Sequence, residues 1–273
     1  MAYARRIRGK RSVRLSEIDP GDHGGLTEDE CEERLDALRA ELRELQELVF
    51  AASCNSILVI LQGMDAAGKD VTIGNVFALA DPASCRVAAF KEPTPEEEAH
   101  HFLWRADRVT PALGELVIFD RSYYEQVILP QVYGDEPGEE IERRHDHIAA
   151  FERLLRDAGT IVMKFFLHVS NGEQRKRLEE RQGNLDTAWK ISARDWEARE
   201  CWDAYMAAYD ATMHATATRD APWYVVPADQ QWFHTLAVAE TLVQRLRPER
   251  DRWVKERDRR GKEKRKEAEE ARG

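Results

Sequence analysis

The apolar positions of the chain fall into one amphipathic stretch followed by a regular alternation of short runs and longer gaps. Thr27 followed three residues on by Glu30 has the form of a capping box, in which each side chain serves the other's backbone N–H. Behind it Leu35, Leu38, Leu42, Leu45 and Val49 recur at three- and four-residue spacing, which predicts a helix with one apolar stripe. The stripe lasts too few heptads for a coiled coil and reads as a docking face. Five short apolar, β-rich segments follow, at Ser56–Gln62, 86–90, 116–119, 161–169 and 223–226. The gaps between them are of helix length, as at 141–157 and 195–218. Strands apolar on both faces and joined by helical crossovers predict a parallel sheet covered on either side. The expected architecture is a three-layer α/β domain built on five parallel strands.

Composition narrows what such a domain does. The 273 residues suffice for one large domain or two small ones. Lys and Arg number 41 against 51 Asp and Glu, a formal net charge of −10, which argues against a general nucleic-acid or membrane-surface binder. No apolar run nears the ~20 residues that span a bilayer. The opening MAYARRIRGK has charge but no apolar core, so no secretory signal is expected. Cys31, Cys54, Cys85 and Cys201 are scattered without a CxxC pair or zinc spacing, and read as reduced thiols of a cytoplasmic protein. His145 and His147 lie two apart, on different faces of a helix, and His100 and His101 are adjacent; no histidine metal site is expected.

Both ends depart from the acidic average. Arg5, Arg6, Arg8, Lys10, Arg11 and Arg14 precede the first acid, Glu17. The plain reading is a flexible solvated arm; the sharper one is an arm that lies across a polyanion site. From Arg250 onward the chain is almost wholly charged and reads as a frayed helix or a disordered tail. The expected organisation is therefore a basic arm over 1–26, one folded domain over 27–247 and a charged tail, frayed helix or disordered, over 248–273.

The most informative residues end the first strand. Ile57 to Gln62 runs into Gly63-Met64-Asp65-Ala66-Ala67-Gly68-Lys69-Asp70, with Thr72 two positions on. Strand, Gly-x4-Gly-Lys and helix start form a P-loop: glycines allow a tight turn whose N–H groups face one phosphate, and Lys69 reaches the phosphates. Asp70 replaces the usual Ser or Thr. It is either a plain helix N-terminal charge or a metal ligand, direct or through water. The run Val117-Ile118-Phe119-Asp120-Arg121-Ser122 is an apolar strand ending in an acid, as in a Walker-B motif, with Asp120 for metal or acceptor and Arg121 for phosphate charge. After the fourth strand come Arg175, Lys176, Arg177, Arg181, Lys190, Arg194 and Arg199, where a P-loop kinase has its lid. Arg177 or Arg181 is expected to face inward, with Arg175 on a solvated face.

Several segments together resemble the polyphosphate kinase 2 family. They are GMDAAGKD, Phe90-Lys91-Glu92-Pro93-Thr94 leading to Phe102-Leu103-Trp104-Arg105, FDRSYYE, Leu178-x-x-Arg181, Trp189-Lys190-Ile191-Ser192 and APWYVVPAD from Ala221. The resemblance spans about 13–246 and is nearest the members that accept nucleoside monophosphates. It implies a P-loop kinase fold with a helical lid at about 170–200. It implies transfer of a phosphoryl group between inorganic polyphosphate and ADP or AMP, with Mg²⁺ (or Mn²⁺). It further implies adenine or guanine nucleotides as partners, a homo-oligomer (dimer or tetramer), and no nucleic acid or membrane. Carried over by motif, Asp65, Lys69, Asp120, Arg121 and Arg181 are the catalytic set, with Asp65 and Asp120 holding metal. Gly63, Ala66, Gly68, Asp70, Thr72, Lys91, Arg105, Arg177 and Lys190 are the nucleotide and polyphosphate contacts. Asp120 stands where the members that use AMP often carry Asn, and Val71 where Gly is common. Two other readings share parts of the pattern: an ATP-dependent nucleoside monophosphate kinase, and a non-catalytic P-loop binding module.

Overall fold

A computed structural model describes residues 3–9 and 13–272. The chain runs β1 (Arg5–Ile7), α1 (Glu28–Ala52), β2 (Ser56–Gln62), α2 (Lys69–Val76), β3 (Cys85–Ala89), α3 (Pro95–Glu98), α4 (Trp104–Asp107) and β4 (Leu116–Asp120). It continues through α5 (Glu125–Tyr133), α6 (Gly138–Asp157), β5 (Thr160–His168), α7 (Asn171–Gly183), α8 (Leu185–Ala188) and α9 (Ala193–Glu200). The last elements are α10 (Trp202–Thr216), β6 (Trp223–Pro227), α11 (Gln231–Leu246) and α12 (Arg250–Glu270).

The strands form one sheet in the order β1-β6-β5-β2-β4-β3. The five segments expected from the sequence pair in parallel, with β2 central between β4 and β5. Every residue of β2 and β5 is buried, as strands covered by helices on both faces must be. The strand count differs from expectation: there are six, because Arg5–Ile7 pairs antiparallel with β6. Only Ile7 of that segment is buried, so it has no apolar run to announce it. What recruits it is the open edge of β6, whose unpaired N–H and C=O groups accept any extended neighbour.

The basic arm is accordingly fastened where it is described. Beyond β1, the Leu15 side chain is buried, its N–H donates to Asp210 Oδ1 (2.9 Å), and Arg14 pairs with Asp210 Oδ2 (3.0 Å). Lys10 and Arg11 lie outside the described residues. The charged C-terminal segment, expected as a frayed helix or a disordered tail, forms the helix α12. Trp253 anchors its first turns, fully buried with its indole N–H on Asn55 Oδ1 (3.0 Å), and Arg260 donates to Ala51 O (2.7 Å). Pairs one turn apart such as Arg259–Glu263 and Arg265–Glu269 support the exposed remainder.

The Thr27–Glu30 capping box forms at the start of α1. The stripe behind it does dock, but onto this chain's own α11 and α12: Leu35, Leu42, Leu45 and Val49 are buried there. The helix-length stretch over 195–218 carries two helices, α9 and α10, separated at Cys201. Under the sheet, Lys164 and Glu152 form a buried ion pair (2.7 Å), and Glu152 Oε1 accepts from Tyr123 (2.9 Å) and Tyr124 (2.6 Å). This network fixes the turn that follows β4, which carries the acid and arginine considered next.

Candidate active site

The P-loop fills the turn from β2 into α2. Gly63 (φ 153°) and Gly68 (φ 110°) have backbones that a side chain would strain. A Cβ at Gly63 would lie 2.9 Å from Leu167 O, and one at Gly68 would lie 2.5 Å from the ring of His234. Ala66 also holds a left-handed φ of 62°. The loop's carbonyls are held from outside: Lys69 Nζ donates to Gly63 O (2.9 Å) and Met64 O (3.1 Å), Gln174 Nε2 to Asp65 O (2.9 Å), and Arg177 Nη1 to Ala66 O (3.2 Å) and Ala67 O (3.1 Å). In a trans peptide C=O and N–H point oppositely, so these contacts turn the N–H groups of Asp65, Ala66 and Gly68 towards the other side, as an anion-binding nest requires.

Across from this loop, the C-terminal end of β4 delivers two functional side chains. Leu61 and Asp120 are register partners, and Arg121 adopts a left-handed φ of 61°, uncommon for a non-glycine residue and found where a side chain is aimed by the fold. Arg121 Nη2 donates to the Asp65 carboxylate and Nη1 to Glu125 Oε2 (3.2 Å). Burial pushes the Asp65 carboxyl up, yet Arg121 and Lys69 outweigh it and hold it below the ordinary 3.8. Burial, followed by repulsion from Arg121, lowers the Lys69 ammonium. Asp120 Oδ1 is buried and has no hydrogen-bond partner among the described residues. A buried carboxylate oxygen without a partner is costly unless a cation or a donor from a ligand completes it. Among the described residues no group of three or more His, Cys, Asp or Glu side chains could cage an ion by itself. Asp120 beside Asp65 nevertheless fits a divalent metal of the Mg²⁺ type, which uses one or two carboxylates together with substrate phosphates and water.

The lid segment separates the arginines that sequence had grouped. Arg177 does not reach for phosphate: it is buried, and besides its two P-loop contacts it donates to Glu173 Oε1 (2.9 Å), Ala228 O (2.8 Å) and Asp229 O (2.7 Å). All five N–H groups of the guanidinium are thereby used. Arg181, one turn on, is half-buried and its guanidinium has no hydrogen bond or ion pair among the described residues, leaving it available. Arg175 pairs with Glu179 (2.8 Å) on the outer face, as expected. Lys190 reaches back to Asp70 (3.1 Å), so this pair ties the lid segment to the start of α2.

The remaining expected contacts divide similarly. Thr72 is fully buried and its hydroxyl donates to Gly68 O (3.0 Å), a bond within its own helix that removes it from the phosphate side. Arg105 is spent on its own segment, donating to Lys91 O (3.0 Å) and Glu97 (3.4 Å) over the ring of Phe90. The Lys91 side chain is exposed at the same sheet edge as Asp120, since Phe90 N–H bonds Asp120 O (3.0 Å). Three residues were missed from the sequence. Gln174 holds the loop, Glu125 holds Arg121, and Asp195 of α9 faces Asp65, where burial and the neighbouring carboxyl raise its own. Glu125 closes the quoted FDRSYYE motif, so its signal was present; Gln174 and Asp195 had none. The cleft between loop and lid, lined also by Ala198, Tyr205 and Tyr209, is nearly closed at about 10 Å³.

A sheet of this order that opens its carboxyl edge onto a glycine loop is the architecture of P-loop kinases. Within that class the chain belongs to the polyphosphate kinase 2 (PPK2) family, whose family model matches residues 25–253. It is 43% identical over 243 residues to the AMP/ADP-polyphosphate phosphotransferase of Meiothermus ruber, covering 88% of this chain and 91% of that one. It is 39% identical over 217 residues to the ADP-polyphosphate phosphotransferase of Rhodopseudomonas palustris, covering 75% of each. The crystal structure of polyphosphate kinase 2 from Arthrobacter aurescens TC1 superposes with a TM-score of 0.84 at 39% identity, over 88% of this chain and 87% of that one.

Proposed function

We propose that this enzyme transfers a phosphoryl group between inorganic polyphosphate and AMP or ADP. The observation that carries the reading is the convergence, at one edge of the sheet, of a carbonyl-clamped P-loop and Lys69 with the Asp65–Arg121 pair and the unpartnered Asp120 oxygen. The names of its relatives support the substrates. An oxygen of the acceptor's terminal phosphate bonds to the end phosphorus of the chain as the P–O bond to the next phosphate breaks, and the shortened chain leaves as an anion. The attacking group is already a phosphate anion, so no strong base is needed. Loop N–H groups, Lys69, Arg121 and Arg181 meet the charge on the transferring group. Lys91 and Lys190 are assigned to nucleotide and polyphosphate contacts. A divalent ion, Mg²⁺ in this proposal, would be held by Asp65 and Asp120 and would supply further charge neutralisation.

The proposal includes a cytoplasmic location and a homo-oligomer. Among the described residues no helix is long and apolar enough to cross a membrane. The apolar groove lined by Phe102, Leu103, Phe151 and Leu154, the last 65% exposed, supports self-association. The deciding experiment is ATP formation by the purified protein from polyphosphate, with AMP and ADP supplied separately and with EDTA as the control. Phosphorylation that stops on chelation is expected; no transfer from any phosphate chain would overturn the reading.

A further inference from the structure

One cavity away from this site collects cations of the basic arm. A cavity of about 490 Å³ opens at the sheet end opposite the P-loop and is lined by Arg6, Arg8, Arg156, Arg219 and Arg245 with a single acid, Asp220. Its floor is Thr160 to Val162, the first residues of β5. Phe166, the register partner of Gln62 beside the loop, lies six residue steps along the strand from Thr160, so the two sites stand roughly 20 Å apart.

We propose that this cavity is a second, non-catalytic binding site for polyphosphate, holding a distal stretch of the chain whose end reacts at the P-loop; the inference rests on the substrate class proposed above. Its charge is local: five guanidinium groups meet here in a chain whose net charge is −10, and low-dielectric walls focus such a field. Two of the five have another explanation, because Arg156 and Arg245 stand in the last turns of α6 and α11, where a cation favours the helix dipole. These two are also partly neutralised, by Asp157, Asp220 and Glu249. No such account covers Arg6 and Arg219. Arg6 is positioned by its bond to Arg219 O (3.0 Å) and by the Tyr224 ring, and the Arg219 guanidinium has no hydrogen bond or ion pair among the described residues. The edge strand β1 carries Arg6 and is followed directly by Arg8, so its pairing with β6 brings the arm's cations to the cavity. Guanidinium forks match the paired oxygens of phosphate units, and a cavity of this volume takes a small ligand or a short stretch of a longer one. Holding one part of a chain raises the effective concentration of the rest near the P-loop without a new catalytic contact.

The test compares chain lengths in the double variant Arg6→Glu/Arg219→Glu, both exposed side chains outside the reacting centre. KM for long-chain polyphosphate should rise about tenfold at low salt, and less at high salt, while KM for tripolyphosphate and kcat for both stay unchanged. Calorimetric titration with long-chain polyphosphate should show the same loss of affinity, with the molecular mass in solution unaltered. Arg219→Gln alone, which breaks no side-chain hydrogen bond or ion pair among the described residues, should give a smaller shift in the same direction. Unchanged KM and affinity, or equal increases for short and long chains, would overturn the proposal. RNA displacing the chain as effectively as polyphosphate itself would also overturn it, leaving only a general polyanion patch. A wild-type protein that turns over no phosphate chain would remove the proposed function instead, and the titration would still decide whether this cavity binds one.

Discussion

Replacing Arg177 by Met keeps an unbranched side chain of similar length and deletes five hydrogen bonds. Four backbone carbonyls lose their charged donor, two in the P-loop and two at the end of β6, and Glu173 keeps Lys176 at 3.6 Å. A buried acceptor left without a donor costs about 1–3 kcal/mol, but five such costs do not add, because some of the carbonyls admit water. Loss of one member of a buried charged network sets the scale instead, about 3–5 kcal/mol. At this chain length that corresponds to a fall in Tm of roughly 5–10 °C. Catalysis should suffer as well, since the freed Ala66 and Ala67 peptides can rotate and misplace the N–H groups facing phosphate; a loss on the order of 10²-fold in kcat/KM is expected. Arg181→Met removes no hydrogen bond or ion pair, so its Tm should stay within about 2 °C of wild type while kcat/KM falls comparably. Arg177→Lys should restore little, because three donors on a single nitrogen cannot span carbonyls on two sides of the site. Scanning calorimetry and steady-state kinetics on the same preparations distinguish the two residues. An Arg177→Met protein that melts like wild type yet loses activity would show that Arg177 grips substrate and that the clamp is incidental.

Lys69→Ala should lower kcat on the order of 10²-fold or more while circular dichroism remains native; a folded variant with most of its turnover would remove the P-loop from the chemistry. Asp120→Asn should shift the kcat/KM ratio from ADP towards AMP, because repulsion between unit charges ~4 Å apart is worth roughly 1–4 kcal/mol; equal loss for both acceptors would assign Asp120 to the metal alone. His234, packed under Gly68, has its imidazole lowered from 6.5 to about 3 by burial and by Arg177. The unfolded chain therefore takes up a proton there below about pH 6.5 that the folded protein refuses, and stability should fall by about 1.4 kcal/mol per pH unit on acidification towards pH 3. Urea midpoints for His234→Gln should show a shallower slope between pH 6 and 4 than wild type, and identical slopes would refute the assignment.

Much of the scaffold was legible because it is governed by short-range rules. Alternation of β-rich runs and helix-length gaps requires a parallel sheet whatever the loops contain, and five of the six strands follow from it. The Gly63 and Gly68 spacing was equally plain, since only glycine tolerates those backbone angles so close to Leu167 and His234. The Thr27–Glu30 box is a contact across three residues and needs no tertiary information.

What sequence could not assign is where a charged side chain finds its partners. Arg177 and Arg181 look alike along the chain, and only the folded positions of Ala66, Ala67, Ala228 and Asp229, 51 to 111 residues away, decide that the first is consumed, while the second keeps no hydrogen bond or ion pair among the described residues. Arg5–Ile7 became a strand because β6 offered an edge, and the cations of the arm met Arg219 only after that pairing formed. The charged C-terminal helix docks where Asn55 and Ala51 lie within reach of Trp253 and Arg260. Asp195 came to face Asp65 through the path of the lid, which no spacing encodes. Hydrophobic periodicity is local and survives in one dimension, whereas the fate of a guanidinium or a carboxylate depends on which acceptors and charges the closed chain brings within about 3–4 Å.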